Sequence, residues 1–211
     1  NSLNIHLQLM DRLSTKKVDE TSEKFANSLD ICRDEVKRLD RIISNFLEAI
    51  RPSKPNFKPV DLLAVLEQVL GLLELEFEEK DVQVEIEVSE KAPSVHADPD
   101  QIKQVFFNVI KNAVDAMGKN PRLKVFLRSD EEYVYLQFAD SGKGISKEDL
   151  SKVFQPYFTT KEEGHGLGMM IVHRIMRAHG GQVGIESKTG TGTVITLQFP
   201  HADRSLRLLE N

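Results

Sequence analysis

The sequence of 211 residues contains one cysteine, no excess of positive charge and no long apolar run. The single cysteine, Cys32, excludes an internal disulfide and suits a reducing compartment such as the cytoplasm. The net charge of -5 argues against nucleic-acid and membrane-surface partners, because both require a positive field. No stretch reaches the roughly 18 apolar residues that a membrane-spanning helix needs. We therefore expect a globular, cytoplasmic protein without direct membrane contact.

Several catalytic signatures are also missing. His165, His173, His179 and His201 lack the spacing of zinc ligands, and Cys32 lies within an apolar helical stripe rather than beside a base. The Gly-x-x-x-x-Gly-Lys-Ser/Thr motif of P-loop proteins is absent, as is the His-Arg-Asp signature of protein-kinase catalytic loops. These absences argue against zinc and cysteine chemistry and against both of those nucleotide-binding folds.

The first 51 residues follow a helical pattern. From Phe25 the apolar residues recur three and four positions apart, at Leu29, Cys32, Val36, Leu39, Ile43, Phe46 and Ile50. This heptad seam predicts a helix over about 19–50, too long for one small core to cover. A shorter stripe precedes a polar turn at 14–17, so we predict an antiparallel hairpin, two of which would form a dimeric four-helix bundle. Packing of the stripe on the rest of the same chain is the alternative.

Prolines mark the expected boundary between two domains. Pro52, Pro55 and Pro59 make 52–59 a predicted linker between the hairpin domain, 1–51, and a second domain, 60–200. The remaining residues, 201–211, are expected to form a C-terminal tail.

The second domain mixes helical and strand patterns. Helices are predicted over 61–79, 98–117, 146–153 and 167–179, and strands over 82–88, 123–127, 133–138, 182–187 and 193–199. This order predicts an α/β sandwich, a mixed sheet with helices on one face. The fold class of the whole chain is therefore α+β, a helical hairpin followed by the sandwich.

Two asparagines lie four residues apart on the predicted helix 98–117. Asn108 and Asn112 project their amides from one face, where both oxygens can meet a hard divalent cation. Magnesium suits such ligands, since it prefers oxygen and keeps water while it bridges phosphates. The pair alone also fits two ordinary exposed amides, and the nearby Lys111 suits either a phosphate or solvent.

An acidic turn follows the predicted strand 133–138. Asp140 follows alternating apolar residues, so its carboxylate is expected to be half buried and to need a hydrogen-bond donor, such as the exocyclic amine of adenine. Gly142 and Gly144 lack side chains where a planar base would approach the backbone. Such a turn is also common in proteins without a nucleotide.

Glycines precede the predicted helix 167–179. Gly164, Gly166 and Gly168 place backbone N–H groups where they can hold phosphates, although a plain surface loop fits the same pattern. Thr160 and Lys161, just before them, can add hydroxyl and ammonium contacts as a lid closes.

The last predicted hairpin supplies one more candidate. The hydroxyl of Thr193 can help to hold the base, although a simple turn explains this residue nearly as well. The helix with the two asparagines, the turn after Asp140 and the glycine segment follow one another in this order, and together they indicate a site for ATP and magnesium.

Four motifs resemble those of sensor histidine kinases. Residues 104–116 resemble their N box, 140–144 their first glycine box, 153–161 their F box and early lid, and 164–169 their second glycine box. The helix ending at 38–52 is similar to the second dimerisation helix of nitrogen-regulator-type members. The resemblance covers nearly the whole chain and implies a homodimer with a GHKL-type ATP-binding domain.

The resemblance also implies the site residues. Asn108 and Asn112 would be magnesium ligands and, with Lys111, the catalytic set. The other implied nucleotide contacts are Asp140, Gly142, Gly144, Ile145, Thr160, Lys161, Gly164, His165, Gly166, Leu167, Gly168 and Thr193. The implied activity is transfer of the γ-phosphate of ATP to a histidine, for relay to the receiver domain of a response regulator. His165 departs from the pattern, because a threonine is common there.

The histidine box that carries the phosphoacceptor in this family is not found in the sequence. His6 lacks the acidic neighbour and the proline of that box, so we do not expect it to be the acceptor. We expect the chain to begin after the box, in a parent protein whose membrane anchorage stays open. The alternatives are a nucleotide-gated partner-binding switch and an ATP-hydrolysing relative of the gyrase, mismatch-repair or chaperone group.

Overall fold

The computed structural model describes residues 31–34, 36, 54–89, 94–161 and 166–201. The chain divides into two units, Asn1–Pro52 and Ser53–Asn211. In the first unit, residues 31–34 and 36 are helical and Cys32 is a buried, free thiol. The rest of the expected hairpin and residues 202–211 of the tail lie outside the described residues, so the four-helix bundle and the domain ranges stay predictions. Within the described ranges, no helix combines the length and the apolar character that crossing a membrane requires.

The second unit is built on a five-stranded mixed sheet. A separate two-stranded sheet consists of β1 (Lys58–Val60) and β3 (Val95–Ala97). The strands of the large sheet are β2 (Gln83–Val88), β4 (Arg122–Ser129), β5 (Tyr133–Asp140), β6 (Gln182–Lys188) and β7 (Gly192–Pro200). The large sheet has the order β2-β4-β5-β7-β6, in which β2 pairs parallel to β4 and all other neighbours pair antiparallel. The mixed sheet predicted from the alternating patterns is confirmed.

The helices of the second unit differ in burial, since the three longer ones bury apolar faces in the core and the two short ones bury no residue. These helices are α1 (Leu62–Leu72), α2 (Glu74–Glu79), α3 (Pro99–Ala116), α4 (Lys147–Leu150) and α5 (Gly168–Ala178). The long helix α3 lies at the centre of the core, and the ring of its Phe106 packs 5.8 Å from that of Phe138 on β5. The two asparagines lie outside this fully buried face of α3 and are half-buried.

Short polar side chains begin several helices, as the sequence predicts. Asp61 accepts hydrogen bonds from the backbone N–H groups of Leu63 and Ala64 at the start of α1. Asp98 caps α3 in the same way, and Ser146 caps α4. The predicted helix 61–79 is wrong in one respect, since it is interrupted at Leu73. The backbone N–H of Leu73 bonds to the carbonyl of Leu70, which tightens the last turn of α1 before α2 begins.

Two short strands were not predicted. Lys58–Val60 pairs antiparallel with Val95–Ala97, so the end of the expected linker 52–59 is a strand of the second unit. Pro59 lacks a backbone N–H, which is tolerated because β1 is an edge strand. Three residues with a central proline carry no readable alternation, and this strand forms only because a distant segment pairs with it.

Candidate nucleotide site

The two asparagines of α3 face the beginning of α5. Nδ2 of Asn108 donates a hydrogen bond to the carbonyl of Gln104 at 2.9 Å, which turns its Oδ1 away from the helix axis. A Cβ added to Gly168 would lie 3.1 Å from this Oδ1 and 3.7 Å from Nδ2 of Asn112. A side chain at Gly168 would therefore crowd the amides, and the glycine keeps the space in front of them open.

The backbone at the start of α5 is suited to an anion. Leu167 precedes the helix and provides no side-chain cap, so within the described residues the first N–H groups of α5 have no capping side chain. Gly166 adopts a positive φ of 65° and packs so closely on the backbone of Tyr157 that a Cβ would lie 2.4 Å from its carbonyl carbon. The uncapped N-terminus thus lies beside the two amides, where the helix dipole favours negative charge.

Asp140 is the last residue of β5 and presents one carboxylate oxygen to the site. Its Oδ1 accepts from the backbone N–H of Gly142 at 2.8 Å and of Thr193 at 3.3 Å. Among the described residues, none donates a hydrogen bond to Oδ2. Burial raises the pKa of Asp140 even though these two donors oppose the shift. The second oxygen is therefore an acceptor that a ligand amine can satisfy.

The turn after Asp140 packs on the end of α3. The N–H of Lys143 bonds to the carbonyl of Ala116 at 3.0 Å, and a Cβ on Gly142 would lie 2.8 Å from the same carbonyl oxygen. Ala116 is one helical turn after Asn112, which corresponds to about 6 Å along α3. The acidic turn therefore packs on the same helix that carries the two amides, about one turn away from Asn112.

Thr193 is joined to this turn through a residue that the sequence did not indicate. Oγ of Ser187 lies 2.9 Å from the hydroxyl of Thr193 and donates to the carbonyl of Gly192 at 2.8 Å. It also accepts the backbone N–H of Ile145 at 2.8 Å. Ser187 faces Thr193 directly across β6 and β7, so the register of this hairpin is the signal that would have revealed it.

Three lysines and two carboxylates lie beside the amides. Lys111 contacts Glu76 on α2 and lies 3.2 Å from Asp115, while Lys80 lies 2.6 Å from Glu76. Nζ of Lys161 donates to Oδ1 of Asn112 at 2.9 Å and to Oδ2 of Asp115 at 3.1 Å. The acidic residues were not predicted, although Asp115 shares the helix face of Asn108 and Asn112.

The lysines keep both carboxylates ionised. Burial alone would raise the pKa of Asp115, but the hydrogen bonds and charges of Lys161 and Lys111 outweigh it and lower that pKa. The pKa of Glu76 is lowered by Lys111 and Lys80 against the same effect of burial. Conversely, burial would lower the pKa of Lys111, and its two acidic partners raise it instead. Asp115, Glu76 and Lys111 therefore stay charged at neutral pH.

A cleft of about 770 Å³ opens beside this cluster. Lys80, Lys111, Asp115 and Lys161 provide its charged lining, and its apolar lining includes Val114. Asp140 and the start of α5 do not line it. The cleft therefore covers only the lysine-rich side of the candidate site.

Among the described residues, the predicted site residues lie on α3 or on the segments that reach it, except for Thr160 and Gly144. Thr160 is exposed and precedes Lys161, and Gly144 packs on the backbone of Lys188 with a positive φ of 69°. Gly164 and His165 lie outside the described residues, so their predicted contacts remain expectations. The geometry joins the remaining candidates through Asn108, Asn112 and Ala116.

The residues fit magnesium. Oδ1 of Asn112 already accepts a cationic donor, and Gly168 keeps open the space in front of Asn108 Oδ1. Two amide oxygens beside an uncapped helix N-terminus form the kind of oxygen-rich site in which Mg²⁺ is bound together with phosphates.

Comparison with known proteins shows the family of this chain. Residues 97–203 match the family described as histidine kinase-, DNA gyrase B-, and HSP90-like ATPase. The chain is 36% identical over 166 residues to the sensor histidine kinase ZraS of Escherichia coli strain K12, an alignment covering 79% of this chain and 36% of ZraS. It is 33% identical over 172 residues to sporulation kinase C of Bacillus subtilis strain 168, covering 81% of this chain and 40% of that kinase.

Solved structures show the same similarity. The catalytic domain of histidine kinase ThkA superposes with a TM-score of 0.64 at 31% identity, covering 69% of this chain and 95% of that domain. ThkA in complex with the response regulator TrrA gives a TM-score of 0.74 at 26% identity, covering 97% of this chain and 59% of ThkA. This chain spans little more than a third of the length of ZraS. The family match, the relatives and the fold show that the chain belongs to the histidine kinase-, DNA gyrase B- and HSP90-like ATPase family and carries a catalytic domain of the histidine kinase type.

Proposed function

We propose that this chain binds ATP with magnesium and serves as the catalytic part of a sensor histidine kinase, which transfers the γ-phosphate to a histidine. The observation that carries the proposal is the junction on α3. One helix there joins the carboxylate turn of Asp140, the amides of Asn108 and Asn112, and the uncapped start of α5. These groups match the base, the metal and the phosphates of one nucleotide.

Asp140 is the proposed adenine contact. Because its Oδ1 is already held by two backbone N–H groups, its Oδ2 is oriented as an acceptor for the exocyclic amine. Gly142 lets the turn pack on the end of α3 beside this carboxylate, since any side chain there would strike Asp140 and Ala116. Thr193 and Ile145 both hydrogen-bond to Ser187, which stabilises this side of the proposed adenine site. This arrangement favours adenine, which presents a donor at the required position.

The phosphates are proposed to lie between α3 and α5. The N–H groups of Gly168 and its neighbours, after Gly166 and Leu167, would donate to phosphate oxygens. Asn108 and Asn112 would hold magnesium, which when bound neutralises charge on the phosphates being separated. Lys111 and Lys161 lie on the same side and add positive charge. Phosphoryl transfer depends mainly on such positioning and charge neutralisation, so this set suffices for the chain's share of the catalysis.

The names of the relatives support a proposal about a response-regulator partner, and the heptad seam supports one about a dimer. ZraS is a sensor histidine kinase, and ThkA was solved in complex with a response regulator. We propose a response-regulator receiver domain as the phosphoryl acceptor after the histidine, a homodimer formed through the heptad seam, and a cytoplasmic location. Light scattering tests the dimer: a seam substitution such as Ile43→Asp should yield a monomer, whereas Arg41→Asp, on the polar face of the same predicted helix, should not.

Two measurements test the catalytic proposal. Isothermal titration calorimetry of the chain should show adenine-nucleotide binding that requires Mg²⁺, and guanine nucleotides should bind much more weakly. Radiolabelled ATP given to the complete product of the gene should leave acid-labile, alkali-stable label on a histidine. Steady phosphate release without labelled protein would instead identify an ATPase. Nucleotide binding without label or turnover would identify a nucleotide-gated switch.

A further inference from the structure

A lysine side chain of the protein already contacts the face of α3 that carries Asn108 and Asn112. The ammonium of Lys161 donates to Oδ1 of Asn112 at 2.9 Å and to Oδ2 of Asp115 at 3.1 Å. Asn112 and Asp115 are three residues apart, so both side chains lie on the same side of the helix. The ammonium is thus bound by two oxygens of the kind that a divalent cation prefers.

Asp115 determines where this ammonium lies. Its other oxygen, Oδ1, lies 3.2 Å from Nζ of Lys111 and 3.4 Å from Nζ of Lys80, so lysines hold the carboxylate from both sides. Glu76 is the second acid of the cluster and pairs with Lys80 and Lys111. Counted over the described residues, three lysines against two carboxylates leave one positive charge in excess. Lys161 differs from the other two lysines because its second contact is a neutral amide oxygen.

We propose that Lys161 and magnesium compete for Oδ1 of Asn112, and that Asp115 is the positioning residue that keeps Lys161 there. This inference rests on the proposed function, in which Asn112 binds the metal. An ammonium and a divalent ion on the same oxygen repel each other strongly, because a part-buried site screens charge less than water does. Binding of the metal therefore requires the ammonium to leave Asn112.

The displaced ammonium has a second use. Lys161 is only partly exposed and stays close to Asp115, so its charge remains beside the incoming phosphates rather than dispersing into solvent. A lysine can donate three hydrogen bonds, and phosphate oxygens replace the lost amide contact. The residue then distinguishes a metal-loaded nucleotide from a bare one, because only the metal-loaded form displaces the ammonium from Asn112.

A magnesium titration tests the competition. A fluorescent, non-hydrolysable ATP analogue is held at fixed concentration while Mg²⁺ is added, and the half-saturating Mg²⁺ concentration is compared between variants. Lys161→Met should lower that concentration by roughly three- to tenfold, because the competing cation is gone. Asp115→Asn should lower it less, since the ammonium loses only one of its two partners.

Lys152→Met is the matched control. Lys152 is an exposed lysine that lies 3.8 Å from Asp149 and 6.0 Å from the ring centre of Phe158, away from the amides. Its removal takes one positive charge from the same domain and should leave the Mg²⁺ requirement unchanged. An equal shift in both variants would mean that net charge alone sets the requirement, which would overturn the proposal.

Nuclear magnetic resonance gives a readout that does not depend on affinity. The chain is produced with [ε-¹³C]lysine, which leaves the ammonium groups intact, and the Lys161 signal is identified by its absence from Lys161→Met. That signal should move when Mg²⁺ and the analogue are added together, and should stay near its original position with the analogue and EDTA. Identical positions under both conditions would contradict displacement by the metal.

The failures of the two proposals are distinguishable. If the wild-type chain binds no nucleotide at any Mg²⁺ concentration, the proposed function fails and this inference falls with it. If the chain binds nucleotide with a Mg²⁺ requirement but Lys161→Met leaves that requirement unchanged or raises it, only the competition is overturned. Circular dichroism of each variant establishes that the fold is retained in these comparisons.

Discussion

The backbone N–H of Asp98 donates a hydrogen bond to Nε2 of His179 across 3.0 Å. Nδ1 of His179 lies 2.8 Å from the carbonyl oxygen of Ile175, so the proton resides on Nδ1 and Nε2 is the acceptor. Oδ2 of Asp98 accepts the N–H of Asn56 at 2.8 Å, and the ring of Phe57 meets His179 edge-on at 5.0 Å. Neutral His179 therefore joins the start of α3, the end of α5 and the segment before β1.

Stability should fall as the pH is lowered through the range in which histidine titrates. Burial lowers the pKa of His179 below its usual 6.5, although Ile175 and Asp98 oppose the shift. Below 6.5 the unfolded chain therefore binds a proton that the folded chain excludes, and protonation favours unfolding. The free energy of unfolding in urea should decrease steadily between pH 7.5 and 5.5. Asp98, whose pKa is lowered from 3.8, contributes only at more acid pH.

The His179→Gln variant should show a shallower pH dependence, because glutamine does not titrate and its oxygen can still accept from Asp98. His173→Gln is the control, since His173 packs against the ring of Phe154 on another side of α5. The control should keep the wild-type slope. If His179→Gln retains the full pH dependence between 7.5 and 5.5, another group is responsible.

Asp140→Asn should separate stability from nucleotide binding. Because burial raises the pKa of Asp140, its ionised form costs stability at neutral pH, and asparagine removes that cost. The asparagine oxygen can keep the N–H contacts of Gly142 and Thr193, which leaves an NH₂ group facing the amine of adenine. We expect unchanged or raised thermal stability and a roughly 10- to 100-fold loss of ATP affinity in calorimetry.

Asp130→Asn is the control for Asp140→Asn, with opposite expected effects on stability and on ATP affinity. The carboxylate of Asp130 is exposed, accepts from Tyr135, Glu132 and Tyr133, and has a lowered pKa because of these contacts. Its replacement should reduce stability and leave ATP affinity unchanged. Equal ATP affinity in Asp140→Asn and wild type would remove Asp140 from the nucleotide site.

A methyl group at Gly142 should disrupt the turn that follows Asp140. The Cβ of alanine would lie 2.7 Å from Oδ1 of Asp140 and 2.8 Å from the carbonyl oxygen of Ala116, both held in place by hydrogen bonds. We expect Gly142→Ala to cost about 2 kcal/mol or more of unfolding free energy and to weaken ATP binding. Chemical denaturation and calorimetry measure the two effects.

Gly71→Ala is the matched glycine control for this variant. Gly71 lies in α1 and nothing lies within 4 Å of an added Cβ, so alanine gains helix propensity without a clash. It should stabilise the chain by about 0.5–1 kcal/mol and leave ATP binding intact. Destabilisation of similar size in both variants would contradict the steric explanation.

Removal of the metal should mimic the loss of Asn112. EDTA is expected to reduce ATP affinity of the wild type by at least roughly tenfold, because the amide oxygens and the phosphates lose their shared cation. Asn112→Ala should bind ATP weakly and respond little to EDTA. Gln137→Ala, which removes a sheet amide bonded to Thr196, should respond to EDTA like the wild type. A full EDTA effect in Asn112→Ala would exclude this residue as a metal ligand.

Most elements of the second unit could be predicted, because their signals are local. Alternating apolar residues identify β4 and β5, and capping side chains such as Asp98 mark where helices begin. The break at Leu73 and the pairing of β1 with β3 could not be predicted. Both depend on the way chain segments pack together, and neither leaves a periodic pattern in its own segment.

The sequence alone placed Asn108 and Asn112 on one helix face, Asp140 at the end of a strand and Gly168 at the start of a helix, since each follows from short-range periodicity and backbone preference. Tertiary structure decided that Gly168 lies against Asn108 and that Lys161 binds Asn112 and Asp115. Segments some fifty residues apart approach only when burial of apolar faces brings α3 and α5 together, and that packing is a property of the whole core.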